Sequence, residues 1–538
     1  MAVLQINPFF RRILVVAVLG AAVTALYAWV SLYTVPYHPR PGFTLDTFDD
    51  DFHQLHSVVL DVSVLACIQT TCSPAAGYTK SVALNTFDAS NVRLYNYYLT
   101  TRRQTKSEAH HILVGLRFTP YDVDDSELYD YEIVSFAGTK LYAKYIKNTG
   151  HTIPDDVKLV YDVDVLFGAE DFNDWRPNRL VVKVPQFGRP QLARNKQAGM
   201  NGVIPYFTML SVSKNDHESF ATLMTEFEAR RTNQEIPAAG SRFRILQLSD
   251  AHFGMNSGRC EGEACKSDLK TLKFIEDAIE AEKPQLVVIT GDLFDIDRSP
   301  DYKLVLIKLL HPILKHKVPF VFTFGDADTL GNDPTTARTF KKLVVNFLLT
   351  LPNCYNRLPN DEALHGVSNY HLKIKNGDSS QALISILDSE DHRLDHLQMY
   401  FLLQAALEAH DTPLKLLFFN YPLPQYRPKG PFLVLGEYKE KGSLSNGTNP
   451  KFYDDIVGWG YKAVLVGHEH ENDVCINSDK TMWLCFSSVV GDSAVTKTDD
   501  FARRLRVFDI NFEKNQILTW KRREGDNGRQ DPQMIYEL

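Results

Sequence analysis

The chain has 538 residues, of which 44 % are apolar and 23 % charged. Those are the proportions of a folded protein, so a disordered chain and a fibrous repeat are both excluded. Lys and Arg total 58 against 66 for Asp and Glu, and the formal net charge of -8 gives no bulk attraction to nucleic acid.

In chain order, the first departure from that average is Ile13 to Val35, a run with no charged side chain. As a helix, about 20 such residues cross the hydrocarbon core of a bilayer. Arg11 and Arg12 precede the run, and Asp46, Asp49, Asp50 and Asp51 follow it. The basic flank stays cytosolic, which makes residues 1–12 a cytosolic tail and the bulk of the chain luminal or extracellular. Tyr27, Trp29 and Tyr33 lie toward the far end, where an aromatic belt sits. A cleaved signal peptide has an apolar core of only ~7–15 residues. The expectation is therefore an uncleaved signal anchor in a single-pass type II protein of the secretory pathway (endoplasmic reticulum, vacuole or cell surface).

The cysteines fit an oxidising lumen. Cys67 with Cys72, Cys260 with Cys265 and Cys475 with Cys485 are close enough in sequence for three local disulfides, with Cys354 left over. Seven reduced, buried cysteines are the alternative. None has the partners of a zinc site. Asn446-Gly447-Thr448 is a glycosylation sequon.

Residues 36–240 read as a β-rich domain. The stretches VKLVYDVDVLFG and NRLVVKVPQF have strand length and are separated by turn residues. His110 and His111 are adjacent, so on a strand they face opposite ways and are not joint ligands. A helix near 217–231 leads to a turn at 237–240.

Residues 241–538 change pattern. FRILQLSD, QLVVITGD and VPFVFTFGD read as buried strands that end in an acid. DLKTLKFIEDAIEAEKP is an amphipathic helix with Leu269, Leu272, Ile275 and Ile279 on one face and Pro284 as its stop. YKLVLIKLLHPILKHK reads as one helix with a kink at Pro312. A helix near 393–409, the strand LKLLFFN, a short helix near 451–457 and the strand KAVLVGHEH follow. Alternating strands and helices predict an α/β layered fold, with ligands outside the carboxyl ends of the strands.

Those ends carry Asp250 and His252 (SDAH), Asp292 (TGD), Asp326 (FGDAD), Asn420 (FFNYP), and His468 and His470 (GHEH). Mixed imidazole and carboxylate sets suit divalent Mn, Fe or Zn. Alternation along a strand would turn the middle residue of SDAH and GHEH away and give one site two groups from each motif. Two ions ~3.5–4 Å apart clamp a phosphate ester and activate a water for in-line attack.

With these motifs, the segment from Arg242 to about Arg523 resembles the calcineurin-like metallophosphoesterases, whose motifs run DxH, GD, GNH(D/E), H and GHxH. SDAHF, TLKFIEDAIEAEKPQLVVITGD, GHEHENDVC and ARRLRVFDI resemble more closely the purple-acid-phosphatase-29-like group of fungi and plants. The N-terminal DVDVLFGAEDFNDWRP resembles its fungal, membrane-anchored members. The resemblance implies a β-sandwich flanked by helices. It gives Asp250, His252, Asp292 and His470 to a first metal, and Asp292, the GNH Asn, a mid-chain His and His468 to a second.

The departures weaken that second set. Asp326 replaces the Asn of GNH, Ala327 replaces its His, and Asn420 stands in place of the mid-chain His. Asp295 occupies the position of the purple-phosphatase Tyr ligand, so no tyrosinate colour is expected. SSVVGDSAV replaces a glycine-rich stretch, with no evident mechanism. Asp328 and His316 could in principle substitute for the lost His, but both read more readily as surface residues. The expected metal content is one firm divalent ion and a second that is weak or absent. Two functions follow from the resemblance. One is a membrane-anchored hydrolase of phosphate monoesters or phosphoproteins, weakened by these changes. The other is a catalytically dead regulatory module acting on a membrane protein, in nutrient control of the plasma-membrane proton pump.

Overall fold

The computed structural model describes residues 57–67, 72–83, 96–118, 131–136, 139–148, 153–168, 173–183, 204–254, 267–294, 302–330, 333–359, 361–430, 432, 434–445, 447–477, 482–497 and 501–538. The expected anchor at 13–35 lies outside the described residues, as do Cys260, Cys265, Asp295 and Asn446. Among the described residues no helix is long and apolar enough to cross a membrane.

Before residue 214 the described strands form three-stranded antiparallel sheets, each with its last strand in the centre. The first joins β1 (Ser57–Cys67), β2 (Tyr78–Ala83) and β3 (Asn96–Thr105) in the order β1-β3-β2. The second joins β4 (His111–Phe118), β5 (Tyr131–Phe136) and β6 (Thr139–Lys147) in the order β4-β6-β5. The third joins β7 (Lys158–Gly168), β8 (Arg179–Lys183) and β9 (Ile204–Ser213) in the order β7-β9-β8. His111 packs edge-on against Tyr145. Helix α1 (Lys214–Asn233) is capped by Ser213, whose hydroxyl accepts from the Asp216 amide. Cys67 is bonded to Cys72.

The rest is a two-sheet sandwich. One sheet has six strands in the order β13-β12-β11-β20-β21-β22, namely β13 (Phe320–Thr323), β12 (Leu286–Thr290), β11 (Arg242–Leu248), β20 (Arg504–Asn511), β21 (Gln516–Arg523) and β22 (Asp526–Glu537). The other has seven in the order β10-β14-β15-β16-β17-β19-β18. These are β10 (Glu235–Pro237), β14 (Tyr370–Asn376), β15 (Ser379–Ile386), β16 (Leu414–Phe418), β17 (Ala463–Val466), β19 (Trp483–Phe486) and β18 (Cys475–Ile476).

Alternation builds the sandwich. Phe243, Ile245, Leu286, Val288 and Val321 face Leu416, Phe418, Ala463 and Leu465 across the inter-sheet core. The intervening Leu246, Leu248, Val287, Ile289 and Phe322 point outward into a helix-covered core. Leu417, Phe419, Val464 and Val466 do the same on the far side. Strands buried on both faces need no polar positions, which is why they read as unbroken apolar runs. The disulfide Cys475–Cys485 joins two residues directly opposite in β18 and β19. Cys354 is a buried free thiol, pushed up to about 12 by burial.

Two helix expectations need correction. In α2 (Ser267–Glu282) the buried face is Thr271, Phe274, Ile275, Ala278, Ile279 and Glu282, with Leu269 and Leu272 on its margin. The buried glutamate shifts that face, because it has partners inside. The run from Tyr302 is two helices, α3 (Tyr302–Leu309) and α4 (His311–Lys315), not one kinked helix. Pro312 lies in the first turn of α4, where a missing amide hydrogen costs nothing. Further on come α5 (Pro334–Leu349), α6 (His396–Glu408) and α7 (Phe452–Gly458).

Glu282 fastens α2 to the sheet. Fully buried, it accepts from Trp520 Nε1 at 2.9 Å and Arg522 Nε at 2.6 Å, and Arg244 Nη1 lies 3.4 Å away. Removing one partner of a buried ion pair costs about 3–5 kcal/mol. Glu282→Ala is expected to lower unfolding stability by about that much, read as an earlier urea midpoint.

Candidate metal centre

Strand register brings the motifs together. Leu248 of β11 pairs in parallel with Ile289 of β12, and Thr290 of β12 with Thr323 of β13. The chain therefore leaves these strands with Asp250, Asp292 and Asp326 side by side. Phe418 of β16 pairs with Leu465 of β17, which sets Asn420 beside the GHEH turn.

The ligands are not on the strands themselves. Asp250, His252, Asp292 and His468 have φ of 54°, 40°, 50° and 68°. Strand alternation thus does not explain how SDAH and GHEH present two groups each; left-handed turns do. Such conformations are costly for non-glycine residues and cluster at functional sites. The middle residues do turn away: Ala251 is buried, and Glu469 is buried against Arg427 and Asn472.

Asp250, His252 and His470 offer ligand atoms all within 4.8 Å of one another. His252 Nε2 and His470 Nε2 face each other at 3.2 Å, and His470 Nε2 is 3.9 Å from Asp250 Oδ1. Donors ~2.1 Å from one ion are separated by about 3 Å, so the spacing suits a shared cation. Asp250 is fully buried, and its Oδ2 has no hydrogen-bond partner. Burial pushes its carboxyl well above the usual range, with the Asp292 charge adding to it. Burial likewise lowers His470, helped by His252. A bound cation reverses both effects, since it favours carboxylate and neutral imidazole. The donor set fits a divalent ion.

Backbone hydrogen bonds hold this set. The His468 amide donates to Asp250 Oδ1 at 3.0 Å, and the Ala327 amide to Asp292 Oδ1 at 2.7 Å. The SSVVGDSAV segment now has a mechanism. Val490 N donates to Ser249 O, Gly491 N to Asp250 O, and Ser493 Oγ to His252 O. Val489 N and Ser488 Oγ both reach His470 O. The Val495 carbonyl accepts from His470 Nδ1, which leaves Nε2 for the ion. Sequence patterning missed this role because it is carried by main-chain atoms.

The second set is different. Asp326 is half exposed and accepts from His392 Nε2 at 2.6 Å, and its Oδ2 is also 3.6 Å from His468 Nδ1. The buried Asn420 donates its Nδ2 to Thr290 O at 2.8 Å. Ala327 stands beside them with no functional group. Neither proposed substitute for the lost His serves. Asp328 is fully buried and accepts from the Leu293, Phe294 and Gly325 amides, so it ties two ligand loops together. Burial first, then the Asp292 charge, raises it to about 8. His316 faces Glu276 at 3.6 Å and Glu280 at 3.8 Å on α2. His392 was not legible as a site residue, because it sits in a loop with no motif around it.

Residues 243–472 match the calcineurin-like phosphoesterase family. The chain is similar to Protein SIA1 of Kluyveromyces lactis, 32 % identical over 302 residues, covering 53 % of this chain and 50 % of that protein. Phosphatase DCR2 of Saccharomyces cerevisiae is 29 % identical over 318 residues, covering 53 % and 54 %. The Arabidopsis thaliana protein named "Probable inactive purple acid phosphatase 29" is 27 % identical over 332 residues, covering 53 % and 83 %. The match spans about half the length of the two fungal relatives.

A Cβ on Gly491 would lie 1.7 Å from the Ala251 carbonyl oxygen, between the two ligands of SDAH. Gly491→Ala must therefore displace the loop that carries Asp250 and His252. Zinc titration is expected to show an affinity about 10–100-fold weaker than in the unaltered protein, the usual scale for lost outer-sphere support.

Proposed function

We propose that the chain is a membrane-anchored metallophosphoesterase that binds phosphate monoesters or phosphoproteins and hydrolyses them slowly. One observation carries this reading: Asp250, His252 and His470 converge on a common point, while Ala327 stands where the family places its catalytic His. Asp250, His252, Asp292 and His470 would hold a divalent Mn, Fe or Zn ion, which supplies Lewis-acid activation of water and neutralises phosphate charge. The chain's own contribution is to orient these ligands and keep their loops dry. It supplies no imidazole at position 327 to assist the leaving group. Acid–base help of that kind is worth ~10²–10⁴-fold.

The second reading is a regulatory phosphatase fold without turnover, acting on a membrane protein. The same Ala327 favours it, and a plant relative carries "inactive" in its name. Turnover of p-nitrophenyl phosphate separates the two. The unaltered protein is expected to turn over well below an ordinary kcat of ~10 s⁻¹. Ala327→His should raise it, and His252→Ala in that background should abolish the gain and release the ion. Rapid turnover by the unaltered chain would refute the weakened-enzyme reading, and none under any metal would favour the regulatory one.

The anchor is the uncharged run 13–35 with Arg11 and Arg12 on its cytosolic side. The bonded pairs Cys67–Cys72 and Cys475–Cys485 suit an oxidising lumen or cell exterior. In sealed microsomes a C-terminal tag should resist protease until detergent is added. Digestion without detergent would reverse the topology.

A further inference from the structure

We infer that Glu276, Glu280 and His316 form a separate site for a divalent cation of the zinc class, which staples helix α2 to the end of α4. The site lies outside the phosphoesterase motifs and does not depend on that reading. Asp292 and Asp326 follow the carboxyl ends of β12 and β13. His316 instead precedes the amino end of β13, and Glu276 and Glu280 occupy the last two turns of α2, which leads into the amino end of β12. The cluster therefore belongs to the opposite edge of the sheet from the strand-end centre. Each of its residues offers one ligand atom, and these atoms all lie within 4.8 Å of one another. His316 Nε2 is 3.6 Å from Glu276 Oε1 and 3.8 Å from Glu280 Oε1. A hydrogen bond would hold such atoms at about 2.7–3.2 Å. The exposed pair Lys273–Asp277 on the same helix does close to 2.9 Å. His316 Nε2 has no hydrogen-bond partner, although it is shielded from water. Tetrahedral donors ~2.1 Å from one ion stand about 3.4 Å apart. The spacing is thus too wide for direct contact and close to that of a shared cation.

Local structure builds the cluster. Glu276 and Glu280 are four residues apart on α2 and share one face, where like charges repel and weaken a helix. A cation between them removes that cost. His316 is the C-cap of α4, and its amide donates to Pro312 O at 3.2 Å. Lys317 follows in left-handed backbone, with φ of 53°. Lys317 N donates to Leu314 O and Val318 N to Ile313 O, each at 3.1 Å, as a helix end requires. Phe274 and Ala278 of α2 share one buried core with Ile313 and Leu314 of α4, which fixes the two helices together. One imidazole and two carboxylates suit zinc, with a fourth position left for water. Lys315 is the competitor, because it donates to Glu276 Oε1. That hydrogen bond holds the Glu276 carboxyl below its ordinary range, so no proton has to leave before a metal binds. The ion pair of a partly exposed lysine is weak beside a metal–ligand bond, and it leaves His316 Nε2 unpaired.

Zinc content decides the matter without any measure of turnover. The full chain, stripped with chelator and titrated with zinc(II) against a chromophoric competitor, is expected to bind one equivalent more than His316→Ala or Glu280→Gln. In both variants that equivalent should weaken by more than about 100-fold, beyond the range for an outer-sphere change. Lys315→Met should tighten it several-fold, a gain that damage to the fold would not produce. His252→Ala acts on the strand-end centre and should leave this equivalent in place. Equal zinc content in the unaltered chain and in both the His316 and Glu280 variants would overturn the inference, and so would looser binding in Lys315→Met. A His252→Ala chain that binds no zinc would also overturn it, although the strand-end reading would then stand. A zinc count that falls in His316→Ala and not in His252→Ala would uphold this site and refute the strand-end one.

Discussion

The centre depends on keeping several carboxylates out of water in one place. Asp250, Asp292 and Asp328 are all buried at neighbouring strand ends. An isolated buried carboxylate is so costly that it protonates unless something compensates. Compensation here is divided. Asp328 is satisfied by three main-chain amides, Asp292 accepts one, and Asp250 accepts one through Oδ1. Asp250 Oδ2 is left without a donor, while its Oδ1 lies 3.9 Å from His470 Nε2, itself 3.2 Å from His252 Nε2. Those atoms satisfy one another through a shared cation and poorly in any other way. Register, left-handed turns and the 488–495 segment all act to hold them there.

Much of this was legible in the sequence for a simple reason. Strands covered on both faces are apolar throughout, so the first polar residue marks where each strand leaves the core. In a parallel α/β arrangement those exits lie side by side. Asp250, Asp292, Asp326, Asn420 and His468 could therefore be placed together before any coordinates. Strand alternation does not pair Asp250 with His252, since both lie past Leu248 in left-handed turns and not on a strand. Periodicity reports regular elements and carries no signal for φ above zero at a non-glycine residue. The split at Leu310 and the buried Glu282 were missed in the same way: proline position and buried ion pairs are settled by tertiary partners.

The least legible parts are those where function is carried by position alone. His392 is one histidine in a short polar stretch between β15 and α6, and nothing in SEDHRL distinguishes it from a solvated loop. Its partners are Asp326 and Tyr421, 66 residues away in one direction and a stacked ring in the other. The carbonyl of Val495, which orients His470, has no side-chain signature at all. Conversely, Asp328 reads in sequence as a surface acid or a spare one beside the site, yet it is fully buried. Its oxygens were already committed to the amides that position its neighbours.

The replacement of an amide by a carboxylate at position 326 has an electrostatic consequence of its own. A neutral Asn ligand would leave the charge of bound cations for the substrate, whereas Asp326 as a ligand would consume one unit of it. At the close range of a metal site, a unit charge is worth far more than at a screened surface. Ligand charge therefore strengthens the hold on the cation and weakens the attraction for an anionic phosphate. Ala327 reinforces the second, because it removes a donor that would contact the phosphate. The changes are thus not random erosion of one motif. On the proposed reading they would move the balance of the centre from turning over phosphate esters toward retaining metal, and slow catalysis and firm metal binding would be two results of the same substitutions.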